Sequence, residues 1–218
     1  MNKVFINSFL VLAALTMIVL GYMQFSNGQQ VRELPYFEPI ALNSNQQTDS
    51  LHRHLVTDFS LFDQSGKTIT RKDFTNSITA VDFFFTSCKG ICPVMNSQMK
   101  RVYEKFKGNP EVQIISHTVN PEKDSVPVLA EYAQHYKADA NQWHFVTGDK
   151  VQLYNLARQS YMISDTKGNG GKEDFVHSQN FALVDKEGHI RGIYNGIDST
   201  EVNRMMVEMD VLLRSYKK

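Results

Sequence analysis

The apolar run Ile78–Thr86, with Asp82 at its centre, stops one residue short of the hexapeptide C-K-G-I-C-P at 88–93. A run of that length without polar alternation reads as a strand buried on both faces. Pro93 then opens a helical stretch reaching Gly108. Proline suits a first helical turn, where the amide it lacks would have had no partner. A buried strand that hands over directly to a helix restricts the chain to α/β arrangements. It also puts Cys88 and Cys92, the chain's two cysteines, at the junction.

The remaining elements extend that order. Phe59–Phe62 and the turn Asp63–Lys67 read as a strand entering a hairpin. Val112–Val119 is a second buried strand, Val126–Tyr136 a helix, and Trp143–Val146 a short strand. Asp149–Tyr161 is a helix with Asp149 as its N-cap, followed by a polar, glycine-rich loop over 165–174. Phe181–Val184 and Ile190–Tyr194 flank D-K-E-G as an antiparallel hairpin, and Thr200–Ser215 closes the chain as a helix. Parallel strands joined by helices, then an antiparallel pair, are the order of a thioredoxin-like α/β sandwich with a central mixed sheet.

Val4–Met23 carries no charge, and a bilayer core needs about 20 mostly apolar residues as a helix. Gly21–Phe25 shows no signal-peptidase pattern. The expectation is an N-terminal transmembrane anchor over residues 1–25, with Lys3 favouring a cytoplasmic N-terminus. A linker over 26–50 follows, in which Leu34-Pro35-Tyr36-Phe37 can dock on the domain, and then a domain over 51–218. The expected location is a cell inner membrane crossed once, with the soluble domain on the outer, periplasmic or equivalent side. Lys plus Arg equal Asp plus Glu at 23 each, and no basic patch exists to meet phosphates, so a nucleic-acid partner is excluded.

An oxidising compartment allows a disulfide, but closing so short a loop stabilises by only about 2 kcal/mol. A helix N-terminus favours a thiolate, so the pair reads as chemistry. The ligands are too few for a structural zinc site. Two thiolates with one imidazole suit a soft or borderline ion, of which copper is the natural choice. His177, at the end of the glycine-rich loop, is either that third ligand or a histidine capping a strand edge. His117 lies inside a strand and reads as packed or on the surface. His52 and His54 read as part of a solvated stretch, and His135, His144 and His189 have no evident companions.

Four segments together resemble the Sco/SenC family of membrane-anchored copper proteins that serve cytochrome c oxidase assembly. They are F-F-F-T-S-C-K-G-I-C-P, N-P-E-K-D-S at 120–125, V-H-S at 176–178 with its F-A-L-V-D-K-E-G hairpin, and L-F-D-Q-S-G-K at 61–67. The resemblance implies a thioredoxin-like fold and copper, as Cu(I) or Cu(II), on Cys88, Cys92 and His177. It also implies delivery to an oxidase subunit with a dicopper site. Lys89 and Gly90 stand where the family usually has Pro and an acidic residue, and Asn120 where it has Asp. Lys89 is expected to favour thiolate. The alternative is a thiol–disulfide oxidoreductase acting on the oxidase's copper-ligand cysteines, with Cys88 attacking and Cys92 resolving. A third reading is a scaffold for protein contacts with a structural bridge.

Overall fold

The computed structural model describes residues 16, 17, 19, 33–38, 48–74, 76–164, 168 and 174–217. Apart from residues 16, 17 and 19, the expected anchor lies outside the described residues. Among those described, no helix is long and apolar enough to cross a membrane.

The chain from Leu34 forms one unit. Its elements are β1 (Ser60–Asp63), β2 (Thr68–Thr70), a 3-10 turn (Arg71–Phe74), β3 (Ile78–Phe84), α1 (Cys92–Phe106), β4 (Val112–Thr118), α2 (Val126–Tyr136), β5 (Trp143–Thr147), α3 (Lys150–Asn155), β6 (Asn180–Val184), β7 (Ile190–Asn195) and α4 (Ser199–Ser215). One mixed sheet runs β2-β1-β5-β4-β3-β6-β7. β3, β4 and β5 are parallel, while β6 and β7 are antiparallel to their neighbours. The thioredoxin-type order expected from the sequence is present.

Every residue of β3 and β4 is buried. Side chains alternate along a strand, so β3 feeds two cores. Ile78, Ala80 and Phe84 pack with Met95, Met99 and Val102 of α1, Leu129 of α2, and Met205 and Met209 of α4. Val81 and Phe83 pack on the other face with Leu61, Leu153, Tyr154 and Tyr161. Each fully buried side chain of this size contributes about 1.5–3 kcal/mol.

One element departs from expectation, and one segment of the expected linker docks on the domain. The third helix is α-helical only to Asn155 and continues as a π-helical turn over Leu156–Ser160, although Asp149 caps it as expected, accepting from Gln152 N at 2.8 Å. Within the stretch read as linker, Leu34–Glu38 lies against the outer strand β7. Phe37 N donates to Ile190 O at 2.9 Å, and Arg191 donates to the Leu34 and Pro35 carbonyls. Leu34 is buried in the first core. This segment shields backbone groups that an edge strand leaves unpaired.

Candidate metal centre

The turn between β3 and α1 is held from the side by the N-P-E-K-D-S segment. Thr86 N and Oγ1 donate to the Asp124 carboxylate at 3.2 and 2.5 Å, and Thr118 Oγ1 at the end of β4 donates to it as well. Asp124 N donates in turn to Asn120 O at 2.9 Å. The buried Asp124 therefore pins Thr86, two residues before Cys88. The sequence singled out this segment but gave it no role.

Helix α1 has no side-chain N-cap and no acidic residue in its first turn, which leaves its first amides free for another acceptor. Cys88 supplies one. Burial pushes its thiol up, but the Cys92 thiol and the N–H groups of Cys92, Gly90 and Ile91 outweigh this, and the net direction is down. Lys89 is exposed; the largest downward pulls come from these groups rather than from its charge. Cys92 is buried, and burial together with the neighbouring Cys88 thiol pushes it up to about 12. Both cysteines are free thiols, so the bridge of the scaffold reading is not formed.

Asp82 adds a buried carboxyl on the strand that leads to the thiols, and its charge is one of the influences raising Cys92. Among the described residues its two oxygens find no hydrogen bond of normal geometry. Burial, opposed more weakly by the neighbouring Ser116 hydroxyl, pushes it up to about 7.

His177 comes to the same place from the far end of the chain. Ser178 Oγ and Asn180 Nδ2 donate to Ile163 O at 2.6 and 3.2 Å, and the Phe175 ring lies 4.9 Å from the imidazole and 5.2 Å from Phe85. Cys88, Cys92 and His177 line one cavity of about 140 Å³, together with Phe85, Ile91 and Val176. A more open recess of about 420 Å³ adjoins it, lined by Ile91, Ile163, His177 and Asn180. The three expected ligands thus share a cavity without closing on one point. Among the described residues, the one trio of His, Cys, Asp or Glu whose ligand atoms gather within 4.8 Å is Asp185, Glu187 and His189.

That trio is an ion-pair cluster. Asp185 accepts from the His189 and Glu187 amides and from Arg191 Nη1, and Glu187 accepts from the Tyr216 hydroxyl. His189 meets Asp185 with one ring nitrogen and Asp49 with the other. Burial disfavours its charge, but the two carboxylates outweigh that and raise it. A cation would have to compete with the His189 ring and the Arg191 guanidinium for the Asp185 carboxylate.

Three of the other histidines correct the sequence reading. His189 has the partners just given, and His144 Nδ1 lies 3.1 Å from the buried Asp63. His54 is buried, not solvated, with Nε2 2.7 Å from Ser160 O. His117 is fully buried and stacked on Phe83 at 4.7 Å, where burial pushes it down to about 3. His52 and His135 are exposed. Adjacent sequence did not show these pairings, because the partners lie up to 140 residues apart.

Comparison with known proteins places this geometry in context. The SCO1/SenC family model matches residues 47–210. The SCO1 protein homolog of Bacillus subtilis (strain 168) is 31% identical over 147 residues, which is 66% of this chain and 76% of that protein. The solved structure of BsSco, a member of the Sco family of cytochrome c oxidase assembly proteins in which a disulfide switch was identified, is similar with a TM-score of 0.62. It is 29% identical and covers 77% of this chain and 98% of its own. The crystal structure of Arabidopsis thaliana ScoI with copper bound has a TM-score of 0.58 at 25% identity, over 74% of this chain and 99% of its own.

Proposed function

Because this chain belongs to the SCO1/SenC family, we propose that it is a copper-binding assembly factor that delivers copper to, or matures, the dicopper site of a cytochrome c oxidase subunit. Cys88, Cys92 and His177 hold the ion. The observation that carries this reading is the cavity they share. Two sulfurs and one imidazole are the donors that soft Cu(I) and borderline Cu(II) prefer. Copper binding displaces protons from the thiols. Cys88, already pulled toward thiolate, is the first donor. Cys92 holds its proton more tightly and completes the sulfur pair as the ion enters. His177 shares the cavity with the sulfurs from a segment outside the sheet, so it closes on the bound ion and withdraws as a recipient's thiolates take over.

Residues 1–25 anchor the chain in the inner membrane as a single span, and the domain faces the outer side, where the oxidase's copper site is assembled. The support is the uncharged run Val4–Met23, long enough to cross a bilayer core. Fractionation of cells with alkaline carbonate, combined with protease access to the domain in spheroplasts, tests this placement. Release by carbonate or protection of the domain would contradict it.

A copper titration of the reduced full chain tests the ligand assignment. One ion bound per chain, with binding lost in Cys88→Ala and Cys92→Ala and weakened in His177→Ala, is the expected result. Binding unaffected by Cys92→Ala would end this reading.

The opposite displacement of the two thiols favours a second activity in the same site. The Cys88 thiolate attacks a sulfur of a target disulfide and expels one target thiolate. Cys92, after losing its proton, attacks Cys88 in the mixed disulfide and expels the second. The target gains two electrons as a dithiol, and this chain is left with a Cys88–Cys92 disulfide. Reduction of a disulfide-bearing oxidase peptide without copper tests it; full activity in Cys88→Ser would refute it.

A further inference from the structure

Both ends of the His177 segment are fastened to one short stretch, residues 158–164. On the C-terminal side the fastening is neutral: Ser178 and Asn180 donate to the Ile163 carbonyl, and Ser164 Oγ donates to the His177 carbonyl at 3.4 Å. On the N-terminal side it is charged. Arg158 Nη1 and Nη2 donate to Asp174 Oδ2 and Oδ1 at 2.8 and 2.6 Å. The two side chains are only 13% and 8% exposed.

Asp174 is held at its backbone as well. The Tyr154 hydroxyl, which donates to Val119 O at 2.8 Å, also lies 3.3 Å from the Asp174 carbonyl. The Arg158 guanidinium sits over the Tyr154 ring, 5.3 Å from its centre. Gly168 lies across the ion pair so closely that a Cβ there would collide with both the Asp174 carboxylate and the Arg158 guanidinium.

A largely buried ion pair is an expensive way to close a loop, because desolvation offsets much of its attraction. What a bidentate guanidinium–carboxylate pair adds is a fixed direction and distance. Between Asp174 and Ser178 only Phe175, Val176 and His177 remain, and Val176 is buried. The imidazole therefore swings on a lever three residues long, and Arg158 fixes one end of it. The π-helical turn, missed by the sequence reading, carries Arg158 at its third position.

We infer that the Arg158–Asp174 pair positions His177 for closure onto copper held by Cys88 and Cys92. Arg158 and Asp174 are positioning residues and touch neither the ion nor the thiols. The inference rests on His177 being a ligand. Groups one shell out from a metal orient its donors, and their loss lowers metal affinity by about 10- to 100-fold.

The test uses Cu(II) added to the reduced full chain, read by thiolate-to-copper charge-transfer absorption and by competition for affinity. Variants are Arg158→Met, Arg158→Lys, the charge swap R158D/D174R, and His177→Ala as reference. Arg158→Met is expected to weaken copper about 10- to 100-fold and to move the absorption toward that of His177→Ala. Lysine, which keeps the charge without the fork, is expected to fall between, and the swap to recover part of the loss. Alkylation of Cys88 should keep its wild-type rate throughout, which a general loosening of the fold would not allow. Wild-type spectrum and affinity in Arg158→Met, alongside loss of both in His177→Ala, would overturn the role of the pair while leaving the ligand assignment standing. An unchanged His177→Ala variant would overturn the ligand assignment and the pair's role with it. Should Arg158→Met not fold, Arg158→Lys decides: wild-type spectrum and affinity there overturn the inference.

Discussion

Cys88 and Cys92 line the same cavity, and their thiols are driven apart in proton affinity: Cys92 lowers that of Cys88, and Cys88 raises that of Cys92. The free amides at the start of α1 reinforce the split by facing Cys88. Cys88 is half-buried and Cys92 is buried. Cys88 should therefore alkylate faster with iodoacetamide, with a pH midpoint below the ordinary thiol value. Cys92→Ala removes this influence and should move that midpoint upward. An unmoved midpoint, measured as alkylation rate against pH, would contradict the influence of Cys92 on Cys88.

Asp82 and His117 give stability two opposing pH dependences. Asp82 is raised from 3.8 to about 7, so the folded state binds its proton more tightly. Its contribution is complete below pH 3.8 and is lost as pH rises through 7. His117 is lowered from 6.5 to about 3, so its contribution is present above pH 6.5 and is lost as pH falls toward 3. Asp82→Asn should thus gain stability relative to the wild type as pH rises between these limits, by up to about 1.4 kcal/mol per pH unit. His117→Phe should gain relative to the wild type as pH falls. Urea unfolding at several pH values checks both signs; parallel curves for wild type and variant would contradict them.

Asp124 holds Thr86 and Thr118 together. Asp124→Ala leaves the buried Thr118 hydroxyl and the half-buried Thr86 hydroxyl and amide without their acceptor, at a cost of about 1–3 kcal/mol. It also frees the turn that presents Cys88. Denaturant unfolding should show the loss, and copper affinity should fall with it. A variant of wild-type stability and affinity would remove Asp124 from the support of the site.

Arg191 ties the Leu34–Glu38 segment to the sheet. It donates to the Leu34 and Pro35 carbonyls at 2.5 and 3.1 Å and lies 4.0 Å from the centre of the Tyr36 ring. Arg191→Met should release this segment. Amide exchange at Phe37, whose N–H is bonded to Ile190 O, should accelerate far more than exchange in β3. Equal protection in both proteins would contradict the tether.

The parts of the fold legible in the sequence were those written in local pattern. The unbroken apolar run marked β3, Pro93 marked the start of α1, and D-K-E-G marked the β6–β7 turn, where Gly188 adopts a φ of 94°. The cysteines were legible as chemistry because two thiols at a strand–helix junction are poor packing material. His177 was legible as a candidate through its place after a glycine-rich loop and through the V-H-S segment that resembles the family's. The rest depended on partners distant in sequence. Asp63 and His144 meet across 81 residues, and Thr86 meets Asp124 across 38. The π-helical turn was hidden because Leu153, Leu156 and Ala157 continue an ordinary helical spacing through it.

X-ray absorption at the copper edge, on the copper-loaded full chain and on its His177→Ala variant, addresses the ligand set most directly. Two sulfur scatterers and one imidazole are expected in the wild-type chain, with the imidazole signal absent from the variant. A shell without sulfur, or an imidazole signal that survives His177→Ala, would contradict copper held by Cys88, Cys92 and His177.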